Sequence, residues 1–203
     1  SYYATEMFEE TNAKRNGQII RIADYVDNQD EFVYSGPHYY ISNPLNKNPR
    51  VNCTSKGDYD KIDLSSISEN FSLRSVYRLT KEGKKNIPLF KGKKITENYR
   101  YINRKMAQPS NERTLISTII PPKVSHFHSS ISLTFLSEES MIYFTGLTQS
   151  IVYDFFVRCI GKPNIKNDIL RLLPLPNDNL SLIIGKTLQL NCVSFEYSSI
   201  WNR

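Results

Sequence analysis

Cysteine, histidine and tryptophan are scarce in this chain of 203 residues, which has three Cys, three His and one Trp. Cys53, Cys159 and Cys192 lie far apart, without a CxxC or Cys/His spacing, so neither a disulfide framework nor a zinc site is expected. A reducing, cytoplasmic setting is the simplest expectation. No run of about eighteen apolar residues occurs, which excludes a transmembrane helix. The opening SYYATEMFEETNAKRNG is polar and mixed in charge and does not read as a signal peptide. Glycines are few and scattered, and no GxxxxGK[ST] or GxGxxG phosphate loop is present. A GxSxG elbow and a Cys with a positioned His are missing too, so no catalytic residue is assigned and enzymatic activity of this segment stays open.

What the chain has in quantity is aromatic side chains, thirteen Tyr and ten Phe, so large rings with polar tips must supply much of its burial. Its length suffices for one good core or two small ones. The net charge of +6 is unevenly spread. Residues 1 to 80 hold nine basic and eleven acidic side chains, and residues 106 to 203 hold eight and seven. Between them, KEGKKNIPLFKGKKITENYRYINRK (Lys81 to Lys105) holds nine and two. The excess is confined to one strip, the footprint expected of a polyanion-binding surface.

Residues 1–30 read as an extended N-terminal arm with at most one helical turn, and residues 31–203 as a single domain with a candidate sub-boundary near residue 80. FVYSGPHYYIS reads as two short strands about a Gly-Pro turn. IPLF and NYRYINRKMA read as strands joined by the loop KGKK. In the second of these, Tyr99, Tyr101 and Asn103 alternate with Arg100, Ile102 and Arg104, which places both arginines on one face. RTLISTIIPP is a buried strand ended by Pro121-Pro122, and VSHFHSSISLTFL is another strand or pair of strands. SEESMIYFTGLTQSIVYDFFVRCIG reads as one long apolar helix capped at Ser137 or Ser140 and ended by Gly161. A C-terminal helix follows in NDNLSLIIGKTLQLNCVSFEYSSIW. The fold class expected is α+β, a twisted and mainly antiparallel sheet with these two helices.

Several small constellations invite a chemical reading. His126 and His128 at i and i+2 could share a strand face as metal ligands, but a third ligand is lacking nearby and a polar strand surface is the commoner case, so no metal is expected. His38 alone supports no base assignment. Asp58 and Asp60 in GDYD could hold a cation, though solvated loop aspartates are commoner. NPLN at Asn43 to Asn46 resembles a degraded NPPY loop of amino-methyltransferases, without the ring that stacks on a flipped base, and so reads as a structural turn. In the basic strip, Lys81, Lys84, Lys85, Lys91, Lys93, Lys94, Arg100, Arg104 and Lys105 interleave with Tyr99, Tyr101 and Asn103, a mixture able to neutralise phosphates and reach base edges. The bland alternative is a solvated lysine-rich loop.

SGPHYYISNPLNKNPRVNCTSKGDYDKIDL (Ser35 to Leu64) and NYRYINRKMAQPSNERTLISTIIPPKVSH (Asn98 to His126), followed by LTQSIVYDFFVRCIG and NIKNDILRLLPLP, resemble the region downstream of the catalytic motifs in large bacterial restriction-modification proteins with a fused adenine-specific DNA methyltransferase, of the type IIG kind. The resemblance runs from about Thr5 to Pro176. It implies a target-recognition domain that reads duplex DNA while neighbouring methyltransferase and nuclease or helicase domains act, with S-adenosylmethionine bound by the parent protein and no cofactor in this segment. The start without Met fits an excised piece. Asn111, Glu112 and Arg113 fall in the family's most recognisable motif, with Asn111 and Arg113 as candidate DNA contacts and a structural role for Arg113 as the alternative. Groove contacts are expected from Arg100, Asn103 and Arg104, since Arg can pair bidentately with guanine and Asn with adenine, and phosphate contacts from Lys81 to Lys94. A second reading is a docking module that braces the other domains through Tyr34, Tyr39 and Tyr40 and the apolar helix from Ile142 to Val157. A self-contained hydrolase built on the histidines is a third.

Overall fold

The run Ser130-Ile131-Ser132-Leu133-Thr134-Phe135 alternates small hydroxyl side chains with large apolar ones, so a strand made of it has one polar and one oily face. That strand is central to the chain's computed structural model, which describes residues 1–55, 57–68, 71–108, 110–176 and 179–201. The first part of the chain forms β1 (Tyr2–Thr5), α1 (Glu10–Arg15), β2 (Ile19–Asp24), β3 (Val33–Tyr34), β4 (Lys47–Pro49), β5 (Tyr59–Lys61) and β6 (Ser75–Leu79). The basic strip forms α2 (Lys81–Lys85), β7 (Leu89–Phe90), β8 (Lys93–Lys94) and β9 (Arg100–Arg104). The remainder forms β10 (Ser117–Ile120), β11 (Ser125–His126), β12 (Ser130–Phe135), α3 (Glu138–Thr148), α4 (Ile151–Ile160), α5 (Asn167–Leu170), α6 (Leu180–Asn191) and α7 (Ser198–Trp201). The fold is mixed α/β, with several small, mainly antiparallel sheets and helices.

The largest sheet has the order β1-β12-β9-β10, antiparallel throughout. Ala4, Leu133, Tyr101 and Ile119 lie in register across it and form its oily face, which packs on Phe144 and Met141 of α3. α6 crosses α3 at Gly146, where an added Cβ would run into Thr187 and Ile183, so only glycine allows the two helices this close. On the opposite face, Arg100, Arg104, Ser130 and Ser132 are covered by residues 32–45 and by β11, which pairs in parallel with β3. A second apolar cluster, including Phe8, Ile19, Tyr77, Leu79, Ile87 and Ile95, lies around the antiparallel pair β2 and β6.

Four expectations change. Residues 1–30 are no arm: β1 is an edge strand of the main sheet, with the Tyr2 ring 5.1 Å from that of Phe135, and β2 pairs with β6. No boundary falls near residue 80, because the second apolar cluster takes Tyr77 and Leu79 from one side of it and Ile87 and Ile95 from the other. The long helix is two. Ser150 adopts an extended conformation and its Oγ accepts from Tyr153 N, capping α4, while Arg113 donates to the carbonyls of Gln149 and Ser150 that the break exposes. Finally, only the first strand of FVYSGPHYYIS forms, since Gly36–His38 is a 3-10 turn closed by Ser35 and His38.

Candidate nucleic-acid interface

The basic strip divides where the chain passes from surface to interior. Thr80 caps α2 by accepting from Gly83 N, and Gly83 packs so closely on Gln18 and Leu79 that the side chains of Lys81 and Lys85 are turned to solvent. β7 and β8 then form a small hairpin whose turn, Lys91-Gly92, has positive φ at both residues. Lys94 Nζ donates to Lys84 O, tying hairpin to helix, and the Phe90 ring stacks on Tyr3 at 5.6 Å. Lys81, Lys91 and Lys93 are exposed, and none forms an ion pair among the described residues. Lys85 pairs with Glu82 at 2.8 Å on an open surface. Lys84 is drawn inward between Asp30, at 2.7 Å, and Glu31. Lys123, which sequence reasoning missed, is exposed beside the turn after β8, its N–H bonded to Thr96 O.

The expected groove contacts are corrected. Tyr99, Arg100 and Asn103 are buried, and Arg104 is half-buried, because both faces of β9 are covered. Arg100 and Arg104 do share a face, as the alternation requires, but residues 32–45 and 124–126 close over it. Arg100 donates to Val124 O and approaches Met7 Sδ, and the loss of water pushes its pKa down to about 9. Arg104 donates to Gly36 O at 3.1 Å and Tyr39 O at 2.6 Å, with its guanidinium 5.6 Å from the rings of Tyr39 and Tyr40. Asn103 Nδ2 donates to Arg104 O and Ile165 O, Tyr99 OH donates to Glu196 O, and Lys105 is paired with Glu6 at 2.7 Å. None of these five is free to reach a base.

Arg113 takes the structural role. The buried Asp154 of α4 accepts from the backbone N–H of Thr114 and Leu115 at 2.7 Å each and has Arg113 Nε at 3.4 Å. Arg158, one helical turn on, donates to the carbonyls of Asn111 and Glu112. The Asn111-Glu112-Arg113 turn is therefore clamped onto α4, with Asn111 itself exposed. Asp154 and Arg158 were missed, although their i, i+4 spacing inside an otherwise apolar helix was a usable sign.

The other constellations are consumed locally. His126 is fully buried, its Nε2 2.8 Å from Ser132 Oγ, and His38 is fully buried against Phe32 and Tyr34; burial pushes both pKa values down to about 3. No group of three metal-ligating side chains exists among the described residues. Asp58 accepts from the backbone of Thr54 and Ser55, hydrogen bonds that hold its carboxyl down to about 2, and Asp60 is bound by Arg50. Asn43 Oδ1 accepts from Leu45 N, a local turn. Tyr34 and Tyr39 are buried in the core and cannot dock a partner. The apolar surface lies instead on α4, where Ile151 is 76%, Val152 73% and Phe155 66% exposed. No described helix is long and apolar enough to cross a membrane. No family model matches the chain, and no curated protein matches it.

Proposed function

We propose that this chain is the target-recognition part of a restriction-modification protein of the type IIG kind, and that it holds duplex DNA by its phosphates at Lys81, Lys91 and Lys93, with Lys85 and Lys123 alongside. The observation that carries this reading is the exposure of three lysines without acid partners among the described residues, on two adjoining elements, α2 and the β7–β8 hairpin. Such cations release counterions when they meet phosphate. Base reading does not come from Arg100, Asn103 or Arg104. Methylation, with its S-adenosylmethionine, and cleavage belong to domains outside this chain.

The exposed stripe Ile151, Val152, Phe155 on α4 favours a second role in the same setting, docking against those neighbouring domains. Fluorescence anisotropy with a labelled duplex, repeated over a series of salt concentrations, separates the two. Three phosphate contacts give a log-log slope of about −2.7, at about −0.9 for each contact. A slope near zero, or no binding at low salt, overturns the DNA reading and leaves docking as the function.

A further inference from the structure

A cleft of about 120 Å³ opens between residues 25–34, the segment Phe71 to Leu73 and the turn that carries Glu196. It is lined by the rings of Tyr25 and Phe71, with the buried Phe32 and Tyr34 as its floor, and by aliphatic side chains such as Val26, Leu45 and Leu73. Phe32 and Tyr34 meet edge-on with centroids 4.8 Å apart, and the Tyr34 phenol is engaged by Tyr197, so the floor is fixed. Tyr25, 51% exposed, forms part of the rim. The one charged side chain in the lining is Glu196, in the 3-10 turn Phe195–Tyr197, whose backbone carbonyl is held by Tyr99 OH. Its carboxylate has no ion-pair or hydrogen-bond partner among the described residues, and the surrounding protein raises its pKa above the ordinary carboxylate value.

An unpaired carboxylate beside several π faces favours one ligand chemistry. Aromatic faces are negative at their centres and attract cations, and the Glu196 carboxylate, on an exposed residue at the edge of the cleft, adds a charge that favours a cation which gives up its own hydration readily. We propose that this cleft binds an organic monocation, a methylated ammonium or guanidinium head group, with Glu196 as counter-ion and Tyr25 and Phe71 as flanking walls. The cleft volume of about 120 Å³ has room for such a head group. The Tyr25 ring already has one cation beside it, the Arg74 guanidinium, 5.3 Å from the centroid, which also donates to Tyr25 OH and Pro49 O. The site involves none of the exposed lysines and does not depend on DNA binding.

The test is a titration of the chain with tetramethylammonium, and separately with methylguanidinium, followed by the NMR signals of the Tyr and Phe rings. tert-Butanol serves as the uncharged analogue of similar size. The expected result is saturable shifts of the Tyr25 and Phe71 rings with at least one cation, weakened about ten-fold in Glu196→Gln, with tert-butanol binding worse than the cation. Tyr25→Leu, at the exposed rim, provides a second variant and should weaken the cation while sparing tert-butanol. Equal binding of tert-butanol and the cations, unchanged affinity in both variants, or no saturable shift would each overturn the proposal.

Discussion

Nine cations lie between Lys81 and Lys105, and the fold treats the two ends of that run in opposite ways. At one end Lys81, Lys91 and Lys93 extend into water from a capped helix and a tight hairpin. At the other, Arg100 and Arg104 are laid against backbone carbonyls under a layer of loop, and Lys105 is neutralised by Glu6. Sequence reading treats the run as a single polyanion surface because charge alone does not report what covers a strand. A cation whose donors are already occupied by carbonyls has little left for a phosphate, so the two ends should respond to different experiments: the buried one to stability measurements, the exposed one to salt and DNA.

The buried ionic groups should give the largest effects on stability. Asp154→Ala removes the acceptor of two backbone N–H groups and leaves Arg113 without its carboxylate. Breaking such a buried pair from one side typically costs about 3–5 kcal/mol. Urea denaturation should show that loss, and a change below about 1 kcal/mol would mean that the clamp on the Asn111-Glu112-Arg113 turn is dispensable.

Next in size is the response to acid. His38 and His126 are held neutral with pKa values near 3, whereas in the unfolded chain each binds a proton near the ordinary 6.5. Below that value the unfolded chain takes up protons that the folded one refuses. Stability is therefore fully present above 6.5 and falls with pH toward 3, by about 1.4 kcal/mol per pH unit for each histidine. Between about pH 7 and about pH 5.5 the two together should cost about 2–3 kcal/mol, before most carboxylates titrate. Equal urea midpoints at the two pH values would show that the imidazoles are hydrated.

These buried groups mark how far the sequence could be read. The alternation in β12 and the β-prone run that contains β10 announce strands, because each face has a consistent neighbour. β9 reads as a strand as well, but its alternating Tyr and Arg suggest one wet face, and the residues that dry it come from 32–45, a segment whose course periodicity does not describe. β1 has only four residues and no pattern; it is a strand because Tyr2 finds Phe135 and Phe144. The break between α3 and α4 follows from Ser150 acting as a cap, with Arg113 there to take the freed carbonyls, a partner that no local signal announces. Of the candidate interface, the lysines of α2 and the hairpin were legible as charge on turn-forming sequence, and Lys123 became a neighbour only through the fold.

A smaller effect, of opposite sign, should come from Arg100. It is a fully buried cation, among the described residues it has no carboxylate partner and its Nε no hydrogen-bond partner, and burial disfavours its charge. Arg100→Met keeps much of the volume, removes the desolvation penalty and gives up one bond to Val124 O. Replacement of buried ionic groups by apolar ones is often neutral or stabilising, and a gain of about 1 kcal/mol is expected here. Binding of duplex DNA should not change. A variant that folds normally but loses affinity for DNA would place Arg100 at the interface after all and erase the division between the two ends of the run.

The exposed end should barely register in stability and should dominate binding. Lys81→Gln, Lys91→Gln and Lys93→Gln each remove a solvated charge that has no ion-pair partner among the described residues, so urea midpoints should stay within about 0.5 kcal/mol of the parent. Each should also flatten the log-log dependence of DNA affinity on salt by about 0.9, equally for different duplex sequences, since a phosphate contact positions the duplex without reading it. The three changes together should then abolish the salt dependence that these lysines create. Should the triple variant keep the parent slope while Lys123→Gln lowers it, the contact surface would lie on the far side of the turn after β8, and the hairpin would be a solvated loop. Should any of the single changes weaken one duplex sequence more than another, that lysine would be reading bases, and specificity would have to be sought on the hairpin.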